Sequence, residues 1–138
     1  MKILNLTQHD ATPEQVAAGV FEPPADVKEN IRRWLTFEKP RSVTALKGAA
    51  FYLACAAEHL GATAAMIGGA PFFMRWLEDA LLERGIEPIY AFSKREVIEE
   101  KDGRKVTVFR HAGFVRPFEK EEPRPRRQRP WAWEVEGR

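Results

Sequence analysis

Residues 42–71 read SVTALKGAAFYLACAAEHLGATAAMIGGAP and place a short apolar segment between two helical patterns. In the first part, apolar residues recur at helical spacing, which predicts a helix over 42–60 that ends at a glycine. Residues 62–67 are apolar and bounded by glycines, as expected for a buried strand. A proline then opens a second helix, expected over 71–84. A helix, a strand and a helix in this order indicate an α/β fold.

Further elements extend this pattern on both sides. A short strand is predicted over 2–6, followed by a helix that begins at Thr12 with Gln15 in the position of a capping box. Another helix is expected over 26–39, and residues 86–92 have the pattern of a third strand. Strands that alternate with helices predict a Rossmann-like, mostly parallel sheet with helices on both faces.

The segment after the third strand predicts an antiparallel β-hairpin at one edge of the sheet. The alternating runs REVIEE and RKVTVFRH flank residues 101–103, which contain an Asp-Gly pair. Alternation around Asp-Gly is a strong hairpin signal. With a two-residue turn, counting the pairs outward places His111 opposite Lys94.

Composition sets limits on the class of protein. The chain has 138 residues, a net charge of +2 and one cysteine, Cys55. One cysteine excludes an intramolecular disulfide and a Cys-rich zinc site, and it favours the cytoplasm. No apolar run approaches the roughly 20 residues of a membrane span, so no membrane partner is expected. The sequence becomes rich in Pro, Arg and Trp after Phe118, so we expect one domain over 1–118 and a tail over 119–138.

Polar residues follow each predicted parallel strand, at the edge where ligands bind in open α/β sheets. The expected members of this rim, with the hairpin included, are Thr7, Gln8, His9, Gly68, Gly69, Ser93, Lys94, Arg95 and His111. Glycine N–H groups before a helix suit a phosphate. The glycine pair fits neither GxGxxG nor a P-loop, which argues against a dinucleotide or nucleoside-triphosphate site. Two histidines with few carboxylates do not make a metal site, so we expect no metal and no cofactor.

Each member of the rim also has a purely structural explanation. Gly68 and Gly69 fit a tight turn, and His9 fits the lead into a helix. Lys94 and its neighbour fit a solvated strand end, and His111 fits a half-buried hairpin position. Single residues leave both explanations open, but their coincidence on four segments favours a binding site.

Two stretches resemble a known group of proteins. NLTQHDATPEQ at 5–15 resembles the start of small CRISPR-associated proteins of the CARF-like, ring-nuclease group, where an Asn, a hydroxyl residue and a His precede T-x-x-Q. YAFSKREVIEEKDGRKVTVFRHAGFVRPF at 90–118 resembles one small family in that group. The matching positions there are Ser93, Arg95, Glu96 or Glu99, Gly103, Phe109, His111, Phe114 and Arg116. IGGAP at 67–71 departs from the glycine loop of that family.

The resemblance implies a CARF-like homodimer that binds a cyclic oligoadenylate across its two-fold axis and cleaves it without metal, with cyclic tetra-adenylate as the expected ligand. A 2′-hydroxyl of the ligand attacks the adjacent phosphorus and yields linear products. His9 or His111 suits the acid, and Lys94 and Arg95 suit the transition-state charge. The expected substrate-binding residues are Asn5, Thr7, Gln8, Gly68, Gly69, Ser93 and Glu96.

Two alternative functions stay open at this point. The same rim suits a protein that binds the messenger without cutting it, as a sponge or sensor. The tail combines cations with stacking surfaces, which suits contact with RNA or with a protein. The residues concerned are Arg124, Arg126, Arg127, Arg129, Trp131 and Trp133. A solubilising or docking extension is the structural explanation of the same segment.

Overall fold

The computed structural model describes residues 1–120, which form five strands and four helices. In chain order they are β1 (Ile3–Leu6), α1 (Pro13–Ala17), β2 (Val20–Phe21), α2 (Ala25–Leu35), α3 (Val43–His59), β3 (Ala64–Ile67), α4 (Pro71–Glu83), β4 (Glu87–Glu99) and β5 (Lys105–Val115). The elements predicted over 2–6, 42–60 and 71–84 are confirmed to within two residues. Among these helices, none has the length and apolar character that a membrane crossing requires.

The strands form one mixed sheet in the order β2-β1-β3-β4-β5. β1 is parallel to β2 and β3, β3 is parallel to β4, and β5 is antiparallel to β4. Because crossovers between parallel strands are right-handed, this strand order puts α1 on one face and the other three helices on the opposite face. The larger apolar cluster joins Leu4, Leu6 and Ile67 to these three helices. The predicted class is therefore confirmed as α/β, with a mostly parallel sheet flanked by helices.

Side-chain caps fix where two of the helices begin. Thr12 Oγ1 accepts a hydrogen bond from the Gln15 N–H at 3.2 Å, and Gln15 Oε1 accepts one from the Thr12 N–H at 3.0 Å. Ser42 Oγ accepts from the Ala45 N–H at 3.2 Å and caps α3. The reciprocal cap at Thr12 confirms the predicted capping box and defines where the loop after β1 ends.

Strand β2 was not among the predicted elements. It has two residues, Val20 and Phe21, which pair in parallel with Ile3 and Leu4. Two residues are too few to produce an alternating pattern. Its position matters because β2 lies on one side of β1 in the sheet, whereas β3, the next strand along the chain, lies on the other side.

β4 is one strand of 13 residues, so the prediction of separate strands over 86–92 and 95–100 was wrong. Residues 87–89 pair with β3, and the rest of β4 pairs with β5. The hairpin therefore continues β4 beyond the carboxyl edge of the sheet. We call this two-stranded segment, residues 93–111, the ribbon.

The turn of the ribbon has three residues, 101–103, rather than the two that were predicted. The Glu100 N–H donates to the Arg104 carbonyl at 2.7 Å, and the Gly103 N–H donates to the Glu100 carbonyl at 2.9 Å. Gly103 has φ 84°, in the left-handed region that a three-residue hairpin turn needs. The extra turn residue shifts the pairing of the two strands by one position.

This shift makes the predicted pairing of Lys94 with His111 wrong. Lys94 pairs with Arg110, and His111 pairs with Ser93. Because side chains alternate along a strand, a slip of one residue moves a side chain to the other face. Lys94 and His111 therefore lie on opposite faces of the ribbon.

An ion pair attaches the residues that follow β5 to the sheet. The Arg116 guanidinium contacts both carboxylate oxygens of Glu87 at 2.8 and 2.9 Å and also pairs with Glu119 at 3.1 Å. This bidentate contact attaches the end of β5 to the start of β4. The predicted tail begins at 119, and its arginines and tryptophans lie outside the described residues.

Replacement of Leu53 by Ala tests the helical layer of the core. Leu53 has no exposed surface and lies in the larger apolar cluster. We expect Leu53→Ala to lower the free energy of unfolding by about 3 kcal/mol in denaturant titration, because it leaves a cavity. Phe51, on the same helix, is 59% exposed, so Phe51→Ala should cost less than about 1 kcal/mol. Equal losses would contradict this packing.

Candidate functional site

A crevice lies where the chain switches from one side of β1 to the other. In sheets of this order, the loops that leave the two neighbouring strands diverge and open a ligand site at their carboxyl ends. Here those strands are β1 and β3, and the crevice between their loops has a volume of about 370 Å³. Its lining residues are Thr7, Gln8, His9, Asp10, Thr12, Gln15, Met66, Ile67, Gly68, Gly69, Tyr90 and Ala91.

The loop after β3 brings free backbone groups to this crevice. Gly69 has φ 142°, a conformation that side-chain-bearing residues rarely adopt. A Cβ on Gly68 would lie 3.8 Å from the Thr7 Cγ2 atom, so the two loops are in close contact. α4 begins at Pro71 with no side chain capping its N-terminus. In its first turn, Pro71 has no N–H and the Phe73 N–H donates to the Ala70 carbonyl at 3.0 Å. Among the described residues, this leaves the Phe72 N–H of that turn available to an anion.

Asn5 lies beneath the loop after β1 rather than in the crevice. Its side chain is 1% exposed. The amide Nδ2 donates to the His9 carbonyl and to Glu22 Oε1, both at 2.7 Å. Its Oδ1 accepts from the Thr7 N–H at 3.0 Å and from the Thr7 hydroxyl at 2.6 Å. Asn5 therefore positions His9 and Thr7 and does not itself line the crevice, although sequence placed it among the substrate-binding residues.

An ionic cluster that sequence reasoning missed supports the same loop. Glu22 Oε1 also accepts from the Ala11 N–H at 2.8 Å, and Glu22 Oε2 lies 2.9 Å from Lys28 Nζ. Lys28 Nζ bridges to Asp10 at 2.6 Å, and Arg32 reaches the same Asp10 oxygen at 3.0 Å. α2 is thus tied to both loops that follow β1 and β2. No motif marks Glu22, whose only sequence signal is its place before two prolines.

Electrostatics keep this cluster charged. Burial raises the pKa of Glu22, but hydrogen bonds from Asn5, Ala11 and Lys28 outweigh it, so the pKa lies below its usual value. Hydrogen bonds from Lys28 and the charge of Arg32 lower the pKa of Asp10. The bonds to Asp10 and Glu22 raise the pKa of Lys28. Lys28 and Arg32 are consequently neutralised by Asp10 and Glu22, which leaves little positive charge for a ligand.

β4 contributes Tyr90 and Ala91 to the crevice, where sequence predicted Ser93, Lys94 and Arg95. The Tyr90 hydroxyl donates to Glu78 Oε2 on α4 at 2.7 Å. Burial, together with that carboxylate, raises the pKa of Tyr90, so the phenol stays protonated. Because β4 continues past the sheet edge, Ser93 and the residues after it lie on the ribbon.

His111 lies next to the crevice on the face shared by Ser93 and Arg95. Phe114 pairs with Ala91, a lining residue, and the rings of His111 and Phe114 lie 4.9 Å apart. His111 Nδ1 is buried and has no hydrogen-bond partner among the described residues. A buried nitrogen without a partner costs about 1–3 kcal/mol. A ligand atom or a second subunit that reaches this nitrogen would remove the cost.

The remaining predicted residues divide between the crevice and the ribbon. Thr7, Gln8 and His9 line the crevice with the two glycines, and Gln8 Nε2 donates to Thr36 Oγ1 at 2.7 Å. Lys94 and Glu96 share the other face of the ribbon, where Glu96 Oε2 accepts from Arg110 Nε at 2.6 Å. The described part of the chain contributes no Lys or Arg to the crevice lining. Within residues 1–120, no group of three His, Cys, Asp or Glu side chains is placed to hold a metal.

Comparison with protein families matches residues 1–115 to the uncharacterized protein MJ1673 family. The chain belongs to this family. The match spans every strand and helix of the described domain, so the crevice and the ribbon are parts of the MJ1673 family domain. Comparisons with curated proteins and with solved structures found no match.

Glu22→Gln tests the ionic cluster through its pH dependence. The lowered pKa of Glu22 means that its contribution to stability is complete above the usual value of 4.5. The contribution is lost as pH falls from there through the pKa of the folded state. The unfolding free energies of wild type and Glu22→Gln should therefore differ most at neutral pH and converge as pH falls below 4.5. Glu58→Gln, at an exposed carboxylate without an ion pair among residues 1–120, should show no such convergence.

Proposed function

We propose that the crevice binds a phosphodiester of a cyclic oligoadenylate and that the protein is a metal-independent ring nuclease, acting in the cytoplasm. The observation that carries the proposal is the meeting of His9, Gly68 and Gly69 in one crevice, with the two glycines in the loop that leads into α4. Backbone N–H groups at a helix start suit a phosphate. Histidine is the side chain whose ordinary pKa suits proton transfer near neutral pH.

In the proposed reaction, a 2′-oxygen of the ring attacks the adjacent phosphorus, and the bond from phosphorus to the 5′-oxygen breaks. The 2′-hydroxyl loses its proton, the 5′-oxygen gains one, and a linear product with a 2′,3′-cyclic phosphate results. His9, exposed at the rim, suits one proton transfer, and His111 suits the other. Gly68 and Gly69 suit the phosphate, and Arg95, on the face of His111, suits the developing charge.

The proposal includes the finer features that the resemblance implies. The α/β sheet is then a small Rossmann-like domain of the CARF-like kind, and two copies form a homodimer. A two-fold dimer presents two equal sites to a ring of matching symmetry. Lys94 lies on the opposite face of the ribbon from His111, so the proposed reaction assigns the stabilisation of charge to Arg95 rather than to Lys94.

A second candidate function is binding without cleavage, as a sponge or sensor. One observation favours it, namely that no Lys or Arg among residues 1–120 lines the crevice. Charge stabilisation of the transition state is a large part of phosphoryl-transfer catalysis. Backbone N–H groups alone suit holding a phosphodiester in its ground state.

Incubation of the pure protein with cyclic tri-, tetra- and hexa-adenylate in EDTA separates these functions. If the protein is a ring nuclease, chromatography should show that the rings have been converted to linear oligoadenylates. If calorimetry shows tight binding and the ring is recovered intact, the protein is a sponge or sensor that binds the messenger without cleaving it. Neither cleavage nor binding at stoichiometric protein would contradict both.

Histidine variants test the assigned roles. His9→Ala and His111→Ala should each slow cleavage by about 100-fold or more, the usual effect of losing an acid or base. His59 is the matched control, because it lies in the last turn of α3, which leads to the amino end of β3 and the opposite edge of the sheet. His59→Ala should leave the rate unchanged. Wild-type rates for the His9 and His111 variants would show that neither histidine acts in the reaction.

A further inference from the structure

The ribbon exposes apolar side chains on one face, which we call the Val97 face. By register, its members are Ser93, Arg95, Val97 and Glu99 on β4 and Lys105, Thr107, Phe109 and His111 on β5. Val97 is 64% exposed and Phe109 is 70% exposed. Adjacent apolar side chains with this exposure on a two-stranded ribbon suit a contact with another molecule.

The charges on the Val97 face are arranged symmetrically about its centre. Arg95 lies two residues before Val97 and Glu99 lies two residues after it, so all three point to the same side. Within residues 1–120, neither Arg95 nor Glu99 forms an ion pair. The opposite face differs, because its Arg110 and Glu96 are already paired at 2.6 Å.

We propose that two copies of this chain associate through the Val97 face, with their β4 strands antiparallel and a two-fold axis at Val97. Each Arg95 then lies opposite Glu99 of the second copy, and the two Val97 side chains meet on the axis. On β5, Phe109 lies opposite Lys105 of the second copy, an arrangement that favours a cation–π contact. Such an interface is isologous, with every contact made twice.

The charge pattern of the Val97 face favours a second copy over an unrelated partner, because one copy of this face is complementary to another. Arg95 and Glu99 are equally distant from Val97 and opposite in charge, which is the condition for pairing about a two-fold axis. Stacking also places the turn of each ribbon over the base of the other. That turn carries Lys101, and the end of the ribbon nearest the sheet lies next to the crevice, where residues 1–120 contribute no Lys or Arg to the lining. The inference does not depend on which ligand the crevice binds.

Charge reversal tests the interface in solution. Arg95→Glu places two pairs of like charges in contact, so we expect the dimer dissociation constant in sedimentation equilibrium to rise roughly tenfold. Glu99→Arg should have a similar effect, and Arg95→Glu with Glu99→Arg should restore most of the affinity. Lys94→Glu, on the opposite face, is the matched control and should leave the constant unchanged. A monomeric wild type, or a double variant no better than the single ones, would overturn the proposal.

Cross-linking tests the axis directly. In a Cys55→Ala background, Val97→Cys places two thiols face to face on the axis, between sheets roughly 10 Å apart, where oxidation or a short bismaleimide joins them. Val106→Cys lies on the opposite face and should remain uncross-linked. Rapid cross-linking of Val97→Cys alone supports the interface. Equal cross-linking of both variants, or of neither, would contradict it. Because neither experiment uses a ligand, failure here is distinct from failure of the proposed binding and cleavage of a cyclic oligoadenylate.

Discussion

The hydrogen bonds of the buried Asn5 side chain hold together the part of the molecule on which the crevice depends. A neutral amide has two donor hydrogens and an oxygen that accepts more than one bond. Asn5 uses them to join the loop after β1 to Glu22 behind it. A carboxylate of the same size lacks the donors, and an apolar side chain lacks both. One residue therefore sets the path of the chain from Thr7 to His9.

Local signals predicted the helices and most of the strands, because caps, prolines and helical spacing act over a few residues. Two features of the fold were beyond such signals. β2 is too short to have a pattern, and its pairing depends on β1, 17 residues away in register. The Asp-Gly pair correctly indicated a hairpin, but it is compatible with turns of two or three residues. That difference of one residue decides which face of the ribbon carries His111.

The sequence predicted which segments meet at the candidate site, but it did not predict the roles of their side chains. Parallel strands bring their carboxyl ends to one edge, so the meeting of His9 with Gly68 and Gly69 follows from strand order alone. The role of Asn5 depends on burial and on a partner 17 residues away, neither of which the sequence states. Ser93 was assigned to the crevice because β4 was expected to end before it, whereas the strand continues.

The continuity of β4 has a consequence for how the domain responds to its surroundings. The strand that forms one wall of the crevice with Tyr90 and Ala91 is the same strand that carries Val97 into solvent. Between them lies the register shift at Phe92 and Ser93, the one irregularity in this ladder. A molecule that binds the crevice and one that binds the ribbon therefore act on a single backbone. By thermodynamic linkage, if binding at the crevice changes the affinity of the ribbon for its partner, binding at the ribbon changes the affinity of the crevice by the same factor.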